Sequence, residues 1–121
     1  MPINEKRSSV RQTISLPASY RYTDQPLHTE QSMIVNLSKG GFCFQSKKSL
    51  NVGKSLKLAI ELGPKESVVL DVAVAWCTRV NEKENFKIGT QITNSQGPDF
   101  ERFLDFYCDK IRKTYLEKEP R

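Results

Sequence analysis

At 121 residues and 13.9 kDa the chain is long enough for one domain with one core and too short for two. Its 37% hydrophobic and 27% charged residues describe an ordinary soluble protein, and no apolar run approaches the roughly 20 residues that span a bilayer. The net charge of +5 favours an anionic partner in a general way. Lys6, Arg7 and Arg11 crowd the N-terminal segment, Lys39, Lys47 and Lys48 flank a glycine pair, and Lys110, Arg112 and Lys113 come near the end.

The start, Met1-Pro2-Ile3-Asn4-Glu5-Lys6-Arg7, is charged and has no apolar core, so no secretory signal is read and the cytoplasm is the expected compartment. Residues 1–12 form the expected flexible arm, poor in apolar groups and open to ordering by a ligand. The domain proper is expected over 13–121. From Thr13 to Tyr22, Ile14, Leu16, Ala18, Tyr20 and Tyr22 alternate with mostly polar residues, the period of a half-buried strand. Pro17 cannot donate to a ladder, which places this strand at an edge or gives it a bulge near its middle.

After the turn at Asp24-Gln25-Pro26, a second strand is expected from about Leu27 to Val35, and Phe42 to Gln45 begins a third. Between them, Asn36-Leu37-Ser38-Lys39-Gly40-Gly41 reads as the tip of a hairpin. Leu56, Leu58, Ile60 and Leu62 define a fourth strand, ended by Gly63-Pro64. Val68, Leu70, Val72, Val74 and Trp76 form one stripe of a long fifth strand, with smaller side chains on the other face. Phe86 to Thr93 makes the sixth, with Gly89 as a candidate bulge.

The period then changes. Gly97-Pro98-Asp99 opens a helix expected over about 98–117, with Phe100, Phe103, Leu104, Tyr107, Cys108 and Ile111 on its apolar stripe. Six short antiparallel strands and one amphipathic helix predict a mainly β fold, a small closed or nearly closed barrel capped at its C-terminus. The three cysteines, Cys43, Cys77 and Cys108, are odd in number, far apart and inside apolar patterns, so they read as buried free thiols rather than a disulfide framework or metal knuckle.

Parts for catalysis are missing: His28 is the only histidine, too little for a histidine triad or a metal cluster. Val52-Gly53-Lys54-Ser55 resembles the end of a phosphate-binding loop, but Lys48 stands where its first glycine belongs and a strand follows. No catalytic residue, metal ligand or cofactor is assigned.

Two short motifs remain. Arg7-Ser8-Ser9-Val10-Arg11 puts two guanidinium groups four residues apart on the arm, and Asn36-x-Ser38-x-x-Gly41 puts two hydrogen-bonding side chains at i and i+2, on one side of an extended backbone. Gly40 and Gly41 permit close approach of a ligand or another chain. Taken singly, the first also reads as a solvated basic tail, and the second as a turn whose Asn and Ser bond their own backbone.

Together, R-x-x-x-R followed by N-x-S-x-x-G resembles the PilZ domain, the bacterial receptor for cyclic di-GMP. Val72-Ala73-Val74-Ala75-Trp76, Phe86-Lys87-Ile88-Gly89-Thr90-Gln91-Ile92 and the aromatic C-terminal helix extend the resemblance over nearly the whole chain. It implies a six-stranded antiparallel PilZ-like β-barrel with a C-terminal helix, cyclic di-GMP binding and no catalysis. Arg7 and Arg11 match the arm arginines, and Asn36, Ser38 and Gly41 the turn positions; Gly40 and Trp76 are further candidates, with core packing the other reading of Trp76. Lys6 stands where many members carry another arginine, keeping charge and losing the stacking plane, which bears on affinity and stoichiometry.

The chemistry suits a guanine dinucleotide. An arginine fork matches guanine O6 and N7 and its plane stacks on a base. The Asn36 carbonyl and Ser38 hydroxyl accept from guanine N1–H and N2–H. The leading reading is a receptor that signals through a downstream protein partner. A PilZ-like interaction module that binds no nucleotide is the alternative. Nucleic acid is the weaker partner, because an interleaved aromatic and basic strip is lacking.

Overall fold

The computed structural model of the chain describes residues 12–25, 27–38, 40–80 and 84–118. The expectations placed on Lys6, Arg7, Arg11 and Lys39 lie outside the described residues. The elements are β1 (Gln12–Tyr22), β2 (Thr29–Ser38), β3 (Gly41–Ser46), β4 (Ser55–Gly63), β5 (Glu66–Arg79), β6 (Phe86–Ile92) and α1 (Pro98–Lys118).

Every neighbouring strand pair is antiparallel, and the sheet closes into a barrel in the order β1-β2-β3-β6-β5-β4. Two three-stranded meanders are joined where β1 pairs β4 and β3 pairs β6. Closure leaves the six strands without an open edge. The alternation read from the sequence is what fills the lumen: Leu56, Leu58 and Ile60 on β4 are fully buried, while Lys57 and Ala59 are half-buried and Glu61 is exposed.

Helix α1 closes one end. Gly97, at φ 99°, turns the chain, and its carbonyl accepts from the Glu101 N–H at 3.1 Å, with Pro98 in the first turn, where its missing N–H costs nothing. Phe103 and Tyr107 are buried, and the Phe103 ring centroid lies 4.9 Å from that of Phe42 at the start of β3. Asp99 accepts from the Val69 N–H at 2.8 Å and pairs with Arg102, fastening the helix to β5. Deeper in the barrel, the Tyr20 hydroxyl meets Ser46 Oγ at 3.0 Å, and that oxygen also accepts from the Lys48 N–H at 3.0 Å.

Several expectations are corrected. β2 starts at Thr29 rather than Leu27 and continues to Ser38, and β3 starts at Gly41. Asn36, Leu37 and Ser38 are therefore strand residues rather than part of a turn, and β3 follows β2 after only two positions of sequence. In β1 the register shifts between Thr13 and Leu16, ahead of Pro17. Pro17 pairs with Met33 just before pairing with β4 begins at Ala18, so it sits where β1 has a single neighbour. The irregularity expected in β6 at Gly89 lies across from it, in β5 between Val74 and Trp76. That bulge ends the inward stripe at Val74, turns Ala75 and Trp76 outward, and brings Cys77 partly into the core. Of the cysteines only Cys43 is buried; Cys77 is half-buried and Cys108 exposed. Cys108 stands about 100° round the helix from Tyr107, past the edge of the apolar stripe.

Candidate ligand-binding site

The irregularities in β2 and β5 define the site. Along β2, Ile34 pairs with Phe44 and Asn36 with Cys43, so two residues of β2 oppose one of β3. Ile34 and Leu37 are buried, with Val35 and Asn36 both on the outer side between them. Strict alternation from Ile34 would have pointed Asn36 into the lumen; the bulge delivers it to the outer wall. Ser38, two residues on, shares that side, as expected for an extended backbone.

The register carries this position round the barrel. Thr13, Asn36, Cys43, Gly89 and Trp76 are successive partners across β1, β2, β3, β6 and β5. One outer rung further toward the tip, Ser38, Gly41, Gln91 and Ala73 are successive partners. With strands about 4.8 Å apart, Asn36 and Trp76 stand about 14 Å from each other along the wall. Trp76 is 39% exposed. Its core-packing reading is therefore replaced by a place on the exterior, in the same rung as Asn36.

The two glycines differ. Gly41 is buried, and a Cβ there would collide with the Thr90 carbonyl, so the absence of a side chain lets β3 approach β6. Gly40 is exposed, and a Cβ there would meet nothing within 4 Å among the described residues. Its N–H donates to Ser38 Oγ at 3.3 Å and its carbonyl accepts from the Ile92 N–H at 2.9 Å. Open space for a visitor is thus beside Gly40, while Gly41 has a structural reason to be glycine.

β6 contributes residues that the two motifs leave out. Phe86, Ile88 and Thr90 point inward, so Lys87, Gly89 and Gln91 face out on the rungs of the site and the next one below. The period-two pattern of Phe86 to Gln91 carries that signal in the sequence. Lys87 adds an exposed cation beside the wall.

The remaining candidates fall elsewhere. His28 lies 2.6 Å from Glu30, which also pairs with Lys48 at 2.5 Å. Lys48 first, then His28, hold the Glu30 carboxyl below its usual range. Val52-Gly53-Lys54-Ser55 is the turn into β4, where Lys54 sits 4.7 Å over the Tyr22 ring and 3.5 Å from Asp24. Among the described residues no group of three or more His, Cys, Asp or Glu could hold a metal, and no helix is long and apolar enough to cross a membrane.

Apolar side chains fill the interior of the barrel, and the described candidate residues Asn36, Ser38 and Trp76 lie on its outer wall. The PilZ domain family model matches residues 5–109, and the chain belongs to that family. Solved structures share the fold. The Bacillus subtilis inhibitor of motility MotI/DgrA superposes with a TM-score of 0.72 at 21% identity, covering 98% of this chain and 59% of its own. The PilZ domain of YcgR from Escherichia coli, with c-di-GMP, gives 0.70 at 15% identity, covering 94% and 97%. The K. pneumonia MrkH–c-di-GMP complex gives 0.72 at 16%, covering 96% and 57%. This chain thus spans little more than half of MotI/DgrA and MrkH. No curated protein matches the sequence.

Proposed function

We propose that the chain is a cyclic di-GMP receptor, non-enzymatic, whose ligand lies on the outer wall between the N-terminal segment and the Asn36–Trp76 rung. The observation that carries the reading is the register at the start of β1: Gln12 pairs with Leu37, between Asn36 and Ser38. Arg11 directly precedes Gln12, and Arg7 is five residues from it. A chain of five residues reaches at most about 17 Å, so both guanidinium groups are tethered within reach of Asn36 and Ser38.

In this reading Asn36 and Ser38 accept from the guanine edge, Arg7 and Arg11 contact the bases or phosphates, and the arm ahead of Gln12, residues 1–11, becomes ordered over the ligand. Lys6 adds charge to that arm. Gly40 leaves room for the nucleotide, Gly41 keeps β3 tight against β6 beneath it, and Trp76 borders the ligand on the opposite side. The surface altered by the ligand then engages or releases a downstream protein, in the cytoplasm. Membership of the PilZ family and a fold shared with the two c-di-GMP complexes support the assignment.

The test is displacement. Labelled cyclic di-GMP bound to the wild-type chain is competed by unlabelled cyclic di-GMP but not by cyclic di-AMP or GTP. Arg7→Ala and Arg11→Ala each weaken binding roughly tenfold, a loss of about 1 to 3 kcal/mol by analogy with bidentate base contacts. Wild-type affinity in both variants would sink the role given to the arm.

A further inference from the structure

We infer that Gly89 is a positioning residue for this binding surface: its bare backbone is the seat that holds the Trp76 indole over β6, and the inference rests on the cyclic di-GMP reading. Trp76 belongs to β5, yet a Cβ on Gly89 would collide with Cε2, Nε1 and Cζ2 of its indole. The ring therefore reaches back from β5 across the neighbouring strand, in the direction of Cys43 and Asn36 on the same rung. Gly89 itself is flanked by the inward Ile88 and Thr90, so the ring occupies the outer side of the wall, where a residue-89 side chain would stand.

Two features of the backbone combine here. The bulge between Val74 and Trp76 aims the indole outward, and the missing side chain at 89 lets it lie against the wall instead of standing off it. One side of the indole is supported by backbone while the residue stays 39% exposed. An aromatic fixed in this way is pre-organised to stack on a base, with less ordering left for the ligand to impose. Any other residue at 89 displaces the ring, even though residue 89 itself need not touch the ligand.

The chain has a single tryptophan, so its fluorescence reports Trp76 alone. Full-length wild type, Gly89→Ala, Trp76→Ala and the double variant are titrated with cyclic di-GMP, with thermal melting as the check of folding. Ligand is expected to change the emission of wild type and to protect it from acrylamide. Gly89→Ala shifts the emission of the free protein toward that of a solvated indole and weakens binding about tenfold. In the Trp76→Ala background the same substitution adds no further loss, a coupling that a general effect on stability would not produce.

Wild-type affinity in Gly89→Ala, or an equal loss on either background, overturns the inference while leaving the receptor reading intact. If Gly89→Ala does not fold, wild type decides: emission and acrylamide quenching indifferent to saturating ligand overturn it. Absence of cyclic di-GMP binding by wild type is a different outcome, which removes the receptor reading and this inference with it.

Discussion

Asp99, in the first turn of α1, accepts a hydrogen bond from the backbone N–H of Val69 on β5 at 2.8 Å, while Arg102 pairs with the same carboxylate. One side chain thus serves the helix dipole and ties the closing helix to the wall. Asp99→Ala leaves the Val69 N–H without this acceptor and loosens the helix. Its side chain is about one-third exposed, so the expected cost is about 1 kcal/mol, read as a lower denaturation midpoint with an unchanged denaturant slope.

The same carboxylate predicts behaviour in acid. The Val69 N–H first, and Arg102 after it, hold Asp99 below its ordinary value of 3.8. Asp71 is likewise held down, chiefly by Lys57 and also by Asn94. Groups with lowered folded pKa values contribute stability above their unfolded values and lose it as pH falls through the folded ones. Unfolding free energy should decline below about pH 4, and an Asp71→Asn/Asp99→Asn double variant, less stable at pH 7, should show a shallower decline. Parallel acid limbs in the two proteins would rule out these two carboxylates as its source.

Tyr20 gives the opposite limb. Burial pushes its hydroxyl above the ordinary value of 10.0, against the opposing hydrogen bond with Ser46. Its contribution is complete below that value and is lost as pH rises through the raised one. Tyr20→Phe is expected to cost about 1 kcal/mol at neutral pH, with Ser46 keeping its bonds to Lys48, and to lessen the loss of stability above pH 10. Equilibrium denaturation at pH 7 and in alkali measures both.

Gly40 and Gly41 should separate stability from binding. Gly41→Ala sets a Cβ against the Thr90 carbonyl and should destabilise by about 1 to 3 kcal/mol as β3 is pushed from β6. Gly40→Ala meets open space among the described residues, so stability should change by less than about 0.5 kcal/mol. A larger residue there, Gly40→Leu, should weaken cyclic di-GMP binding without lowering the melting temperature. Equal melting temperatures for Gly40→Ala and Gly41→Ala would refute the packing argument.

The barrel is legible in the sequence because its inward stripes are regular: Leu56, Leu58 and Ile60 on β4 repeat at two, and Phe103 and Tyr107 on α1 at four. Asn36 and Ser38 are legible as a motif, but not as strand residues. Propensity reads Asn, Ser and two glycines as a turn, while pairing of Asn36 with Cys43 and Ser38 with Gly41 extends the hairpin almost to its tip. The bulges at Val35 and Ala75 are a matter of register between strands, which one strand's sequence does not contain. That is why Trp76, in phase with Val72 and Val74 along the chain, reads as part of their stripe and yet stands outside. Gly89 signals an irregularity correctly, but the irregular strand is its neighbour.

Whether the outer wall receives a nucleotide is decided by calorimetric titration of the purified chain with cyclic di-GMP, beside an Asn36→Ala/Ser38→Ala variant. Wild type should bind saturably at micromolar or lower concentration, and the variant, shown to be folded by its cooperative melting transition, should lose at least tenfold in affinity. No heat and no competition at high ligand concentration would refute the receptor, and would leave a PilZ barrel whose work is protein interaction without a nucleotide.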